Sequence, residues 1–350
     1  MTQFIQLHLL TSYPPANLNR DDLGRPKTAR MGGVERLRVS SQSLKRHWRT
    51  SNLFAEALSE HLGTRTKRLG REIYDRLTSQ GIKDKTAFEW ATAIAGQFGK
   101  LKAGKKTQDE NLEIEQLAHI TPEELQGVWA LVDQLIAENR APTDEEKKLL
   151  RHESSAVDVS LFGRMLASSP DFNVEAACQV AHAISVHGVA VEDDYFTAVD
   201  DLNAGDEDRG ASHIGEAAFA SALFYLYICI DKDLLVKNLQ GKVELANKAI
   251  VALVEAAAKV APKGKQNSFA SRAYASYILV EKGAQQPRSL SVAFLKPVRG
   301  ENQQEDAIQA LEQQYKNFDN VYGACADERY AINSVRAEGS FAELTDFITR

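Results

Sequence analysis

From Arg36 to Arg49 the sequence RLRVSSQSLKRHWR changes its period. Arg36, Arg38 and Ser40 alternate with Leu37 and Val39, the two-residue repeat of a strand with one basic, polar face. Ser40 or Ser41 then caps a helix. On that helix Leu44 and Trp48 fall within about 40° of each other, while Gln42, Lys45, Arg46 and Arg49 share an arc from about 100° to 200°. A strand must therefore run straight into a helix, each keeping one apolar side for a core. Gly32-Gly33, just upstream, lets the backbone turn or approach a ligand closely.

Charge singles out the same stretch. Between Arg20 and Arg49 stand nine basic residues against three acidic ones, in a chain whose net charge is -6. The remainder is therefore strongly acidic, and the positive charge is gathered. Gathered charge implies a polyanion. A charge run is most often a solvated face, but the Ser, Gln and Gly content of this window suits phosphate and sugar contacts better than mere solubility.

The chain has 350 residues, 43% hydrophobic and 26% charged, which is the composition of an ordinary globular protein with one large or two modest domains. The first residues lack a basic flank and a cleavage-like site. The longest apolar run, Phe219 to Ile230, is too short to span a bilayer. A soluble, cytoplasmic protein without membrane contact is expected. Cys178, Cys229 and Cys325 are few, odd in number and far apart, so no disulfide framework is expected.

Phe4 to Leu10 reads as a core strand ending at the Pro14-Pro15 turn. From Leu53 to about Arg151 the texture is helical, with basic clusters at Arg65, Lys67, Arg68 and Arg71 and at Lys100, Lys102, Lys105 and Lys106. Ser154 to Met165 alternates like a strand, and Val174 to His187 looks helical. Asp193 to Asp201 and the polar stretch after it read as an exposed hairpin-like excursion feeding a buried strand, Leu223 to Ile230. Val243 to Val260 is an amphipathic helix, Pro262 to Gln266 a basic turn, Tyr274 to Val280 a strand, and Glu305 to Phe318 a last helix. Strands separated by helices, with long excursions, suggest an α+β fold with a modest sheet.

Three stretches bear on chemistry. Gly99 to Lys105 has the glycine spacing of a phosphate-cradling loop, but Lys106 stands where Ser or Thr must hold magnesium, and no strand precedes it. Cys178, His182 and His187 lack a further ligand pair, so core packing is favoured over a metal site. Asp21 and Asp22 beside Arg20 could serve a metal-dependent ribonuclease. The bland reading is an acidic pair pinning its own loop. No catalytic residue, metal or cofactor is expected.

NLNRDD at 17–22, GGVERLRVSSQSLKR at 32–46, GRM at 163–165, DYFTAVDDL at 194–202, SHIG with FYLY at 212–227, and more weakly PKGKQNSFA at 262–270 resemble the CasC-type backbone subunit of the type I-E CRISPR surveillance complex, Cascade. The likeness is weakest over about 60–150. It implies an RRM-like (ferredoxin-like) palm with a helical fingers insertion and a thumb hairpin. The corresponding segments are 1–58 (palm start with the basic RNA-gripping segment), 59–180 (mainly helical fingers), 181–193 (palm), 194–218 (thumb) and 219–350 (rest of the palm).

The resemblance further implies a noncatalytic subunit that polymerises along a CRISPR RNA beside other Cascade subunits. It would kink the guide at every sixth nucleotide and leave the remaining bases to pair with target DNA. Arg20, Lys27, Ser40, Gln42, Lys45 and Arg49 stand where the family grips the RNA backbone, and Arg49 replaces the expected lysine. Arg46, Arg164, Lys263 and Lys265 are further expected RNA contacts. Met165, also counted among those contacts, stands with Thr197 and Ile214 where the family wedges against the kinked strand. The excursion itself carries Asp194, Asp200, Asp201, Asp206, Glu207 and Asp208 against Arg209 alone, so shape and protein contact are expected there instead of charge.

Overall fold

The structure, a computed structural model, describes residues 3–104, 107–198 and 213–350. It mixes helix and sheet and divides into two compact units. The first comprises Met1–Phe54, Gln179–Ile230 and Ile250–Arg350; the second comprises Ala55–Cys178 and Asp231–Ala249.

The first unit is built on a sheet. Its strands lie in the order Glu328–Asn333, Tyr277–Gly283, Phe4–Ala16, His213–Asp231, Ala183–Ser185, Val34–Val39, Thr28–Met31. Ile5 to Leu10 are buried without alternation, as befits a strand near the middle of a sheet that is covered on both faces. Leu10, Leu223, Tyr225, Tyr277 and Leu279 pack against Leu290 and Phe294 and against Ile308 and Leu311 of the helix Gln303–Tyr322. The first strand does not end at Pro14-Pro15 but runs on to Ala16. Both prolines are exposed, beyond Leu10, the last residue paired with the strand Tyr277–Gly283.

Burial on both faces leaves polar groups to satisfy. His8 Nδ1 meets the Tyr225 hydroxyl at 2.9 Å and its Nε2 meets Glu281 at 3.1 Å. Glu281 also takes Arg288 and, at 2.7 Å, Arg329. Burial pushes the Glu281 carboxyl up, but hydrogen bonds from His8 and Arg288 outweigh it and hold the group well below the usual carboxylate range. At His8 burial wins, and the imidazole is held below its ordinary value.

In the second unit the helices Leu69–Ser79, Asp84–Ala95 and Pro122–Glu138 enclose a core that includes Leu69, Ile73, Trp90, Ile94, Leu131 and Leu135. Thr121 caps the third helix in a reciprocal box with Glu124, and Pro122 occupies the first turn. Ser154 to Met165 is not a strand: Val157–Phe162 is a helix. Val157 to Leu161 are all buried, so the apparent alternation did not mark a solvent face. Asp158 instead accepts from Gly63 N at 2.8 Å and pairs with His119 Nε2 at 2.8 Å.

Val174 to His187 is not a helix. Cys178–Val180 and Ala183–Ser185 are strands, the latter inserted between Arg38-Val39 and Phe224-Tyr225. A vacant sheet position overrode the local helical pattern. Past the expected last helix lies another, Phe341–Thr349, capped by Ser340 with Glu343 three residues on. This S-x-x-E signature stands in the sequence. Among the described residues no helix is long and apolar enough to cross a membrane.

Candidate nucleic-acid interface

The strand Val34–Val39 returns on Thr28–Met31 through Gly32 and Gly33, whose φ values are +62° and +81°. Two left-handed central residues make the tight turn that matches strand twist. A Cβ at Gly32 would lie 1.7 Å from Leu295 O, so only glycine fits there. The expected all-basic face is corrected by the structure, because Arg36 is fully buried. Its guanidinium donates to Met31 O at 3.2 Å, Ser185 O at 3.0 Å and Phe294 O at 2.8 Å. Arg38, two residues on, is half-buried, and its Nη1 sits 2.8 Å from His182 Nδ1. Burial and then the charges of Arg38 and Lys27 lower the His182 pKa. The neutral ring thus accepts the arginine N–H.

The loop before this hairpin is tied by its own side chains. Asn17 Nδ2 donates to Gly24 O and to Ala218 O, both at 2.9 Å. Asn19 takes Lys27 N on its carbonyl and Ser40 N on its side chain. Asp21 Oδ1 accepts from Leu23 N and Arg25 N, each at 2.9 Å, the geometry of a loop-pinning aspartate. Arg25 reaches Asp193 at 2.7 Å, joining the loop to the strand Glu192–Ala198. Arg20 and Lys27 thus sit on a braced loop, Arg20 exposed and Lys27 half-exposed.

Ser40 is the N-cap of the helix Ser41–Arg49 and accepts from Ser43 N. Leu44 and Trp48 are buried. Gln42 and Arg46 are exposed, and Lys45 and Arg49 are half-exposed. His47 Nδ1 donates to Ser43 O at 2.7 Å, while its Nε2 accepts from Lys263 N at 3.0 Å. Gly264 then closes on the loop's start, since a Cβ there would lie 2.3 Å from Leu18 O. Lys263 and Lys265 point from this turn into solvent. Residues some 200 positions apart in the chain thereby join one cationic surface.

Burial lowers the His47 pKa, as do the charges of Lys263 and Arg46, against the raising effect of the Ser43 hydrogen bond. The neutral form is the one that accepts from Lys263 N. A folded-state pKa below the unfolded one means this contact contributes fully above about pH 6.5 and is lost as pH falls through the folded value. Thermal melts between about pH 7.5 and 5 should show a decline that is shallower in His47→Gln. Equal declines in both proteins would mean that the contact is not its source.

The remaining expected site residues lie elsewhere or take other roles. Arg164 is in the second unit and buried. It donates to both Glu124 oxygens, at 2.9 and 2.7 Å, and reaches the carbonyls of Phe172 and Arg151. Its guanidinium anchors a loop from which Met165 emerges 74% exposed. Thr197 is exposed and pairs with Ile214 across the antiparallel strands Glu192–Ala198 and His213–Asp231. The Ile214 side chain, the acidic residues from Asp200 to Asp208, Arg209, Lys105 and Lys106 lie outside the described residues.

Lys100 pairs with Glu115 at 3.3 Å and Lys102 with Glu113 at 2.5 Å. Among the described residues no group of three or more His, Cys, Asp or Glu is placed to hold a metal ion. The sequence reading missed Asn17, Asn19 and His47, which place the cations without carrying charge. Only the Asn-Asp density of NLNRDD hinted at such bracing.

A comparison with curated proteins found no match. Among solved structures, a chain of a "CRISPR RNA-guided surveillance complex, pre-nicking" is 30% identical with a TM-score of 0.84, covering 99% of both chains. A chain of another "CRISPR RNA-guided surveillance complex" is 25% identical with a TM-score of 0.61, covering 99% of this chain and 98% of its own. The family model of the CT1975-like proteins matches residues 5–346. The chain belongs to the CT1975-like family.

Proposed function

We propose that this chain is a noncatalytic RNA-binding subunit of a CRISPR RNA-guided surveillance complex, and specifically the CasC-type backbone subunit of a type I-E Cascade. In this reading the first unit is the RRM-like palm, the helical unit supplies the fingers, and the strands around Thr197 and Ile214 begin the thumb. Copies polymerise along one guide RNA. They hold its phosphates without regard to sequence, kink it at every sixth nucleotide and leave the other bases to pair with target DNA. The observation that carries the reading is the braced cationic surface: Arg20, Lys27, Gln42, Lys45, Arg46, Arg49, Lys263 and Lys265 all lie on a loop, helix and turn held together by Asn17, Asn19, His47 and Gly264.

A metal-dependent ribonuclease using Asp21 and Asp22 is the competing reading. The pinned Asp21 carboxylate, with two backbone N–H donors on one oxygen, favours a loop brace. Coexpression with a guide discriminates the two. The purified particle should be multimeric with intact RNA, and Asp21→Ala with Asp22→Ala should leave RNA integrity unchanged. Metal-dependent shortening of the RNA by the wild type, abolished in the double variant, would establish the nuclease instead.

A further inference from the structure

Where the helix Ser41–Arg49 ends, the chain enters the wall of a cleft of about 790 Å³, lined by Ser51 to Leu53, Lys259 to Ala261 and the segment from Lys263 to Tyr274. The volume falls within the range of ligand pockets. Three observations say what it would hold. First, four of the lining residues are Lys or Arg and none is acidic, in a chain of net charge -6. Lys259 is engaged with Glu255 at 2.7 Å, while Lys263, Lys265 and Arg272 are exposed.

Second, Tyr274 presents its ring to solvent, 69% exposed, beside side chains of both hydrogen-bonding senses, Asn52, Asn267 and Ser268. An open aromatic face next to cations is the combination that stacks bases of single-stranded nucleic acid without reading their sequence. Third, the wall is held in an uncommon conformation. Lys265 and Ala270, at φ +48° each, bracket the single helical turn Gln266–Phe269. Left-handed non-glycine residues of this kind persist where surrounding structure imposes them, often at ligand sites. The cleft is also continuous with the cationic surface, because Lys263 N is the donor to His47.

We propose that this cleft receives one unpaired nucleotide of a bound RNA, with its base against the Tyr274 ring and its phosphate among Lys263, Lys265 and Arg272. The proposal rests on the reading of the adjoining surface as an RNA grip, and the two are separable by experiment. Anisotropy would compare a single-stranded RNA with an abasic ribose-phosphate oligomer of the same length. Tyr274→Ala should bind the RNA about tenfold more weakly, the usual order for one lost stack, and the abasic oligomer as the wild type does. Tyr274→Phe should bind both normally.

Lys45→Ala should lose affinity for both oligomers. If it loses none, the grip reading fails, while the Tyr274 comparison still reports on the cleft. Unchanged RNA affinity in Tyr274→Ala, or an equal loss on both oligomers, overturns the nucleotide assignment. So does a change confined to particle size on RNA, which would make the cleft a seat for protein. The exposed ring makes misfolding unexpected. Should Tyr274→Ala nonetheless melt early, Tyr274→Gln, with a side chain that reaches but does not stack, gives the same comparison.

Discussion

Replacing Arg36 by methionine should lower the free energy of unfolding by about 3–5 kcal/mol, the upper range for a point substitution, because it leaves several buried polar groups without their donor. Methionine keeps most of the stem's volume, so the effect reports on the guanidinium. Without it, Met31 O, Ser185 O and Phe294 O lose a donor in the interior, and each buried carbonyl left unpaired costs about 1–3 kcal/mol. Those carbonyls lie on the hairpin, on the strand Ala183–Ser185 and in the turn Ser291–Phe294, so the loss should loosen the sheet edge that carries the cationic loop. Lysine should recover less than half, because a single ammonium cannot reproduce a planar fork aimed in three directions. Arg38→Met, at a half-exposed site, should lose under about 1 kcal/mol. Urea denaturation followed by circular dichroism measures all three. A loss below about 1 kcal/mol for Arg36→Met, or full recovery by lysine, would show that the buried guanidinium does not hold these segments together.

The second large effect is on binding. Changing Lys45, Arg49, Lys263 and Lys265 together to glutamine should remove about four phosphate contacts. With about 0.7 counterions released per contact on a single strand, the slope of log K against log salt should flatten by about 2.8, which at about 0.1 M salt is a loss of roughly 600-fold. The loss should be the same for two unrelated RNA sequences, because phosphates position a strand without identifying it. Lys263→Gln by itself should leave thermal stability within about 0.5 kcal/mol of wild type, since the Lys263 contact to His47 is made by backbone and survives substitution of the side chain. Anisotropy at four salt concentrations gives both quantities. A slope change below about one, or a loss confined to one RNA, would contradict recognition through the backbone.

Local features were legible where a local pattern governs local geometry. A serine cap at 40 or 41, Leu44 and Trp48 as the buried side of the helix, and the long helix bounded at Val243–Lys259 all follow from spacing, because a helix fixes which residues share a face. The same logic failed at Val157–Phe162 and Ala183–Ser185. There burial on every side, or an open place in the sheet, outweighed the intrinsic preference of a short segment.

By itself the sequence determined that positive charge is gathered between Arg20 and Arg49, and that a strand passes there into a capped helix. Only the tertiary structure decided which of those charges meet solvent. Arg36 and Arg38 are equivalent in the alternating pattern, yet Arg36 is enclosed by carbonyls contributed from Ser185 and Phe294, and Arg38 is not. Arg164 reads as one more cation until Glu124 closes on it from the helix Pro122–Glu138. Lys263 and Lys265 join the surface because Gly264 admits the backbone of Leu18 and His47 accepts from Lys263. A charge in water and a charge in a core differ by partners far away in the chain. Periodicity carries the geometry of neighbours and cannot carry those partners.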